Sequence, residues 1–456
     1  MAEYNRIPVN VPRVETKYRS IVTQLPVPES LAVFDKLEES EPRSMRGQPP
    51  IIWDKAEGAT VSDRWGNRWI DWSSGVLIAN AGHGRPEIRD ALRHVIDHGL
   101  LSTYVFVHEQ RGELTKLLQS VSPDPEDYLV FLLSTGSEAT ENCMKLAKTY
   151  AKDKHGDDRR VIVSFENAFH GRTLGSQLMG GMEKLKTWIG SRSPDFVQVP
   201  FPDGFKNENV SFDLFLSTLK EKGVEPNQIA GVISETYQGV GPDFLPVEYA
   251  QKLEAFCREN DIVLIMDEVQ AGFGRTGKMF GFEHYGIKPD LIACGKGITS
   301  SLPLSAVIGR KDIMDLYAPG SMTSTHSASP LPVVSALENL KIIINEKLPE
   351  RAAEMGDILL PELERIRAKY PEVLGCMHGK GLVAGIQVVK PGTKEPDPET
   401  AVAINVACYQ KGLLMFAPVG IGGECLKIAP PLTIEEGALR EAVEIFEEAI
   451  DEVLGE

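Results

Sequence analysis

From residue 128 onward the chain alternates short apolar runs with segments whose apolar residues recur every three or four positions. "YLVFLLSTGSEATENCMKLAKTYAK" is the clearest instance. Its strand-forming run, Tyr128 to Leu133, turns at Gly136 into a helical pattern with Ala139, Cys143, Leu146, Ala147 and Tyr150 on one face. "RVIVSF", "IAGVISE" and "DIVLIMDE" read as further strands, and "VEYAQKLEAFCREN" as a helix between the last two. Another apolar run ends at Ala293 and Cys294. Short strands alternating with helices in this way predict βαβ units, an α/β fold and a mainly parallel sheet.

Beyond Pro330 the pattern changes to longer amphipathic helices, "SALENLKIIINE" and the terminal "IEEGALREAVEIFEEAIDEVL", around strands such as "GLVAGIQVV". This predicts a smaller α+β domain. Near the start, "GATVSDRWGNRWIDW" reads as a hairpin around Gly66 that packs with that domain. A chain of 456 residues also exceeds the size at which single cores stop growing. The expected division is an N-terminal segment over 1–75, a large domain over 76–328 and a C-terminal small domain over 329–456.

A net charge of −17 speaks against nucleic-acid or anionic-membrane surfaces, which need clustered Lys and Arg. The six cysteines lack CxxC spacing, so free thiols in a reducing compartment are expected, and no metal site. "MAEYNRIPVNVPRVETKYRS" has neither the basic region nor the apolar stretch of a signal peptide, and no uncharged run approaches the ~18 residues of a membrane span. The expected location is cytoplasmic.

Three stretches carry candidate chemistry. "STGSEATE" sets Gly136 and Ser137 at the first turn of a helix, where unpaired N–H groups and the helix dipole favour an anion; an ordinary capped turn reads the same way. "LIMDEVQAGFGRTG" puts Asp267 and Glu268 at the end of an apolar strand, where open α/β sheets place ligand groups, although an Asp there also serves as a turn residue. Its Gly272, Gly274 and Gly277 spell GxGxxG and raise a nicotinamide-dependent dehydrogenase as a rival. Two charged residues intervene after the strand, and Gly281, Gly286 and Pro289 spoil the helix that should follow. In "PDLIACGKGITSSLP", Lys296 stands between two glycines just past an apolar strand. Such an amine is a structural group or, with its pKa lowered by lost hydration, a nucleophile toward an aldehyde. An anion site, a strand-end Asp and a flanked Lys together suit a phosphorylated aldehyde with a ring nitrogen, namely pyridoxal 5'-phosphate.

On these motifs the chain resembles the class III (ω-type) aminotransferases of fold type I, the group with 4-aminobutyrate, ornithine, acetylornithine and ω-amino acid transaminases. The similarity runs from "GNRWIDWSSGVLIANAGHGRP" to "LKIAPPLTI". "DEVQAGFGRTG", with a lysine 29 residues after its Asp (296 − 267), is the most specific part. The resemblance implies a large domain with a mainly parallel seven-stranded sheet between helices and a smaller α+β domain built from both chain ends. It implies Lys296 as the lysine that bonds the cofactor and moves the proton, and Asp267 as partner of the pyridine nitrogen. Gln270 is then expected at the phenolic oxygen, Val269 and Phe169 on the two ring faces, and Gly136 and Ser137 at the phosphate. Thr325 in "STHSASP" matches the threonine that completes the phosphate site of a neighbouring subunit, which implies a homodimer, or a tetramer of such dimers, with shared active sites.

For substrates the resemblance implies an ω-amino acid or amine as donor and a 2-oxo acid, pyruvate or 2-oxoglutarate, as acceptor. Arg172 in "FHGRT" matches an arginine that binds a distal carboxylate, and a planar guanidinium suits that task. The family's gate arginine and glutamate are both absent: "LKIAPPLTI" has Lys427, and "ETYQGVG" has Val240 where "EPVQGEG" has its second glutamate. Glu235, the first glutamate, remains. Lys427 is expected to bind the 2-oxo acid less selectively than an arginine. Racemases, epimerases and a decarboxylase share the same Lys and Asp and form the alternative reading.

Overall fold

The computed structural model describes residues 4–455, and in it the most plainly patterned segment forms as expected. Strand β1 is Tyr128–Leu133 and helix α1 is Gly136–His155. Ala139, Cys143, Leu146, Ala147 and Tyr150 all lie on its buried face. The helix begins here because Thr135, in an extended conformation, caps it. The Thr135 hydroxyl accepts from the Glu138 N–H at 3.3 Å, and Glu138 Oε2 accepts from the Thr135 N–H at 3.1 Å.

Strands β2 (Val161–Phe165), β3 (Phe196–Val199), β4 (Ile229–Glu235), β5 (Val263–Asp267), β6 (Leu291–Cys294) and β7 (Ser305–Arg310) complete one sheet with β1. Their spatial order is β1-β7-β6-β5-β4-β2-β3. β3, β2, β4, β5 and β6 pair in parallel, while β7 is antiparallel to both β6 and β1. The sheet is therefore mainly parallel, with one reversed strand. Helix α2, Val247–Glu259, connects β4 to β5.

Cys143, Leu146 and Ala147 of α1 share a core with Ile162, Ile233, Ile265, Ala293 and Val307 of the sheet. Gly231 on β4 allows the close approach: a Cβ there would sit 3.1 Å from the Ala147 Cβ. Burying such a continuous apolar face is what holds helix to sheet.

Pro86–Glu350 forms one unit, and the chain before and after it forms the other. Helix α3, Pro330–Asn345, therefore belongs with the sheet unit and not with a C-terminal domain starting at 329. It packs on the helices Pro86–Asp97 and Glu109–Ser120. Its first residue is a proline, which suits a helix start because the missing N–H has no intrahelical partner there. In the other unit, Thr60–Ser62 and Arg68–Asp71 pair antiparallel around Gly66, whose φ is 99°. Leu413–Leu414 pairs in parallel with Arg68–Asp71, so both chain ends share one sheet. Leu374–Lys380, Val383–Val388 and Cys425–Ile428 form a second, antiparallel sheet, and the chain finishes in the helix Glu436–Leu454. Among the described residues no helix is long and apolar enough to cross a membrane.

Candidate active site

The C-terminal ends of the parallel strands deliver the candidate groups to one place, as open α/β sheets do. β5 ends on Asp267 and β4 on Glu235, and the two residues are register partners. On its other side Asp267 is paired with Ala293 of β6, which leads directly to Lys296. β1 leads to Gly136 and Ser137 at the start of α1, and β2 leads to Phe169 and His170. These groups, with Val269, Gln270 and Tyr237, line a cavity of about 170 Å³.

Lys296 is held in an unusual backbone conformation, with φ at 41°. Such strain in a residue with a side chain is tolerated where the surroundings over-determine it. Burial holds its amine below the ordinary lysine value, while the charges of Asp267 and Glu235 pull in the opposite direction. Asp267 is anchored at both oxygens. Oδ1 accepts from the Val269 N–H at 3.0 Å, and Oδ2 lies 2.8 Å from His170 Nδ1, which therefore carries the proton. His170 Nε2 is buried without a hydrogen-bond partner.

Glu235 is pushed up to about 7, first by burial, with the His170 charge opposing and the Asp267 charge adding. Its oxygens accept the N–H groups of Phe169 at 2.9 Å and Gly239 at 2.8 Å. Glu268 is different from its neighbour. It accepts from the Gly281 N–H at 2.7 Å and the Phe282 N–H at 3.0 Å, and from the Thr236 hydroxyl. It therefore ties the chain after β5 and does not line the cavity. Burial pushes it, too, up to about 7.

Val269 closes the cavity against two glycines. A Cβ at Gly136 would lie 3.0 Å from Val269 Cγ1, and one at Gly295 would lie 3.3 Å away. The helix start thus lies close against the apolar wall. The GxGxxG glycines do not open a nucleotide-binding helix: Gly274 and Gly277 have φ of 93° and 91°, and only a 3-10 turn, Gly281–Tyr285, follows.

Of the expected site residues, Gly136, Ser137, Phe169, Glu235, Asp267, Val269, Gln270 and Lys296 line the cavity. Arg172 is exposed outside that lining, its guanidinium carbon 5.8 Å from the Phe169 ring centroid. Thr325 is exposed and likewise outside the lining. Lys427 lies in the other unit, buried on the strand Cys425–Ile428. Four lining residues, Thr135, His170, Gly171 and Tyr237, escaped the sequence reading, although all sit inside the segments "STGSEATE", "AFHGRT" and "ETYQGVG". A buried imidazole and a buried phenol pass for core until their partners are known.

A mainly parallel sheet thus brings an amine, a carboxylate and a helix start, which favours an anion, around one cavity. The chain belongs to the class-III aminotransferase family, whose model matches residues 43–450. It is 32% identical over 440 residues to a 4-aminobutyrate aminotransferase of Mycobacterium leprae, covering 94% of this chain and 97% of that one. It is also 31% identical over 421 residues to an alanine/serine racemase of Pyrococcus horikoshii, covering 89% and 86%. An amine transaminase from an uncultivated Pseudomonas species, solved in a PLP-bound form, superposes with a TM-score of 0.81 at 26% identity, over 91% of this chain and 96% of that one.

Proposed function

We propose that the cavity binds pyridoxal 5'-phosphate and that the enzyme moves an amino group from an ω-amino acid or amine to a 2-oxo acid such as pyruvate or 2-oxoglutarate. The carrying observation is the convergence of Lys296, Asp267 and the α1 start on one cavity from separate strand ends. The donor set fits the cofactor: an anion cradle where a side chain at 136 would crowd Val269, an apolar wall, a doubly anchored carboxylate and a desolvated amine.

When bound, the cofactor supplies an electron-accepting ring for the pair released as a C–H bond of the amine breaks. The protein does the rest. The N–H groups of Gly136 and Ser137 hold the phosphate at the positive end of α1. Asp267 holds the proton at the ring nitrogen, and His170 fixes the orientation of that carboxylate. Val269 and Phe169 cover the ring faces and exclude water, and Gln270 serves the phenolic oxygen. Lys296 would bond the cofactor, and its Nζ would take and return the proton at the substrate carbon; a depressed pKa suits that work near neutrality. Arg172, beside Phe169, is assigned the donor's distal carboxylate. Glu235, with both oxygens on main-chain N–H groups, is assigned to the cavity wall.

A second copy of the chain is part of this reading, its Thr325 completing the phosphate contacts. Support comes from the run Leu100–Val107, in which Phe106 and Val107 are 76% and 84% exposed. Tyr104 in that run lies 3.3 Å from Thr323, next to the Thr325 loop. A contiguous exposed apolar run is normal at a subunit interface. A cytoplasmic location also belongs to the reading, supported by six free cysteines, five of them buried.

The purified protein should absorb in the visible, and borohydride should fix the chromophore on Lys296 in peptide maps. Colourless protein that takes up no pyridoxal 5'-phosphate would refute the proposal. The racemase relative supports a second reading. Amine donor without acceptor separates them: a transaminase loses the visible band as its cofactor is left in the amine form, whereas a racemase recovers it.

A further inference from the structure

The segment after β4 folds back over Gln270. Tyr237 and Gln238 pair antiparallel with Asp243 and Phe244, and the Tyr237 ring packs on Phe244 with centroids 5.2 Å apart. So held, the Tyr237 hydroxyl donates to the Gln270 main-chain carbonyl at 3.1 Å. Two residues on, Gly239 is drawn in by its N–H bond to Glu235 Oε1, 2.8 Å. A Cβ at Gly239 would run into the Gln270 side-chain amide. One segment therefore meets Gln270 at both ends, its carbonyl and its amide. Val240 follows where the "EPVQGEG" pattern has a glutamate, and Tyr237 stands where that pattern has a valine.

We propose that Tyr237 and Gly239 are positioning residues: the Tyr237 hydroxyl fixes the Gln270 main chain, and Gly239 forms the stop that sets its side-chain amide in one orientation in the cavity. This rests on the cofactor reading above. A fixed amide loses little rotamer entropy when it meets the phenolic oxygen, and it favours the ionised oxygen. A displaced amide leaves that oxygen less stabilised, so the pH midpoint of the visible band must rise.

The test uses pyridoxal-phosphate-loaded Tyr237→Phe, Gly239→Ala and Gln270→Ala beside the parent. The readouts are visible pH titration, cofactor dissociation constant and thermal unfolding. Tyr237→Phe removes one hydroxyl and keeps the ring. In Gly239→Ala the added methyl meets chiefly the flexible Gln270 side chain and the Glu235 carboxylate, so it displaces the amide without a strained backbone. Expected are midpoints raised by about 0.3–1 pH unit in both, in the direction of Gln270→Ala and no further, since one hydrogen bond is at stake. Cofactor dissociation constants rise about 2- to 10-fold with them. Parental midpoints in both variants, with Gln270→Ala shifted, overturn this inference and leave the cofactor reading intact. An unshifted Gln270→Ala overturns it by removing Gln270 from the chromophore. Should Tyr237→Phe fail to fold, the Gly239→Ala midpoint decides alone.

Discussion

At the scale of single residues, the site is a set of buried polar groups, several of them anchored to named partners. Lys296 combines a strained φ with a desolvated amine, a combination with no structural benefit of its own. Lys296→Ala should therefore fold normally and lose the borohydride-stable chromophore. Its transamination should fall by about 10²-fold or more, the general acid–base contribution alone, and added small amines should restore part of it. His170 acts on Asp267 from behind, at 2.8 Å. His170→Ala leaves a buried carboxylate oxygen without that partner, a loss of about 1.5–3 kcal/mol, so kcat should drop about 10- to 100-fold. An unchanged kcat in that variant would remove His170 from the machinery.

At the scale of elements, the site depends on how α1 starts and how close it lies to the sheet. Thr135→Ala removes the cap and should cost about 1 kcal/mol in unfolding, with looser cofactor retention in the same variant. Gly231→Val drives a branched side chain into Ala147 and the Val263 carbonyl and should lower stability by about 1–3 kcal/mol, read from the thermal midpoint. Legibility in the sequence followed the same elements. β1, β2, β4, β5, α1 and α2 announced themselves because strands buried on both faces are apolar runs and α1 has one apolar face. β3, "FVQV", and β7, "SAVIGR", did not. β3 is a short edge strand with alternating partial burial, and β7 follows a loop rich in Ser and Pro with small residues at its start. The placement of α3 with the sheet unit was also hidden, because its apolar residues cover both the face toward neighbouring helices and much of the rest.

At the scale of the whole molecule, burial of acidic groups couples stability to pH. Glu235 and Glu268 have folded-state values near 7 against an ordinary 4.5. Their contribution is fully present below about 4.5 and is lost as pH rises through about 7, because the unfolded chain releases those protons more readily. Glu268→Gln removes one such titration without touching the cavity lining. Its thermal midpoint should fall less than the parent's between about pH 4.5 and 7, and parallel curves would show that Glu268 does not titrate there. Assembly is tested separately. Replacing Phe106 and Val107 together by Asp should shift the mass in light scattering from two chains toward one and weaken cofactor binding in step, if a second Thr325 completes the site.

The amino-acid order alone determined the α/β class and the motif residues Gly136, Asp267 and Lys296, because periodicity and strand-to-loop junctions are local properties. Only the tertiary structure decided that Glu268 is a tether while Asp267 faces the cavity, that His170 stands behind Asp267, and that Tyr237 and Gly239 bracket Gln270. Those assignments depend on which strand end lies beside which. That adjacency is set by sheet order and packing, and no spacing along the chain encodes it.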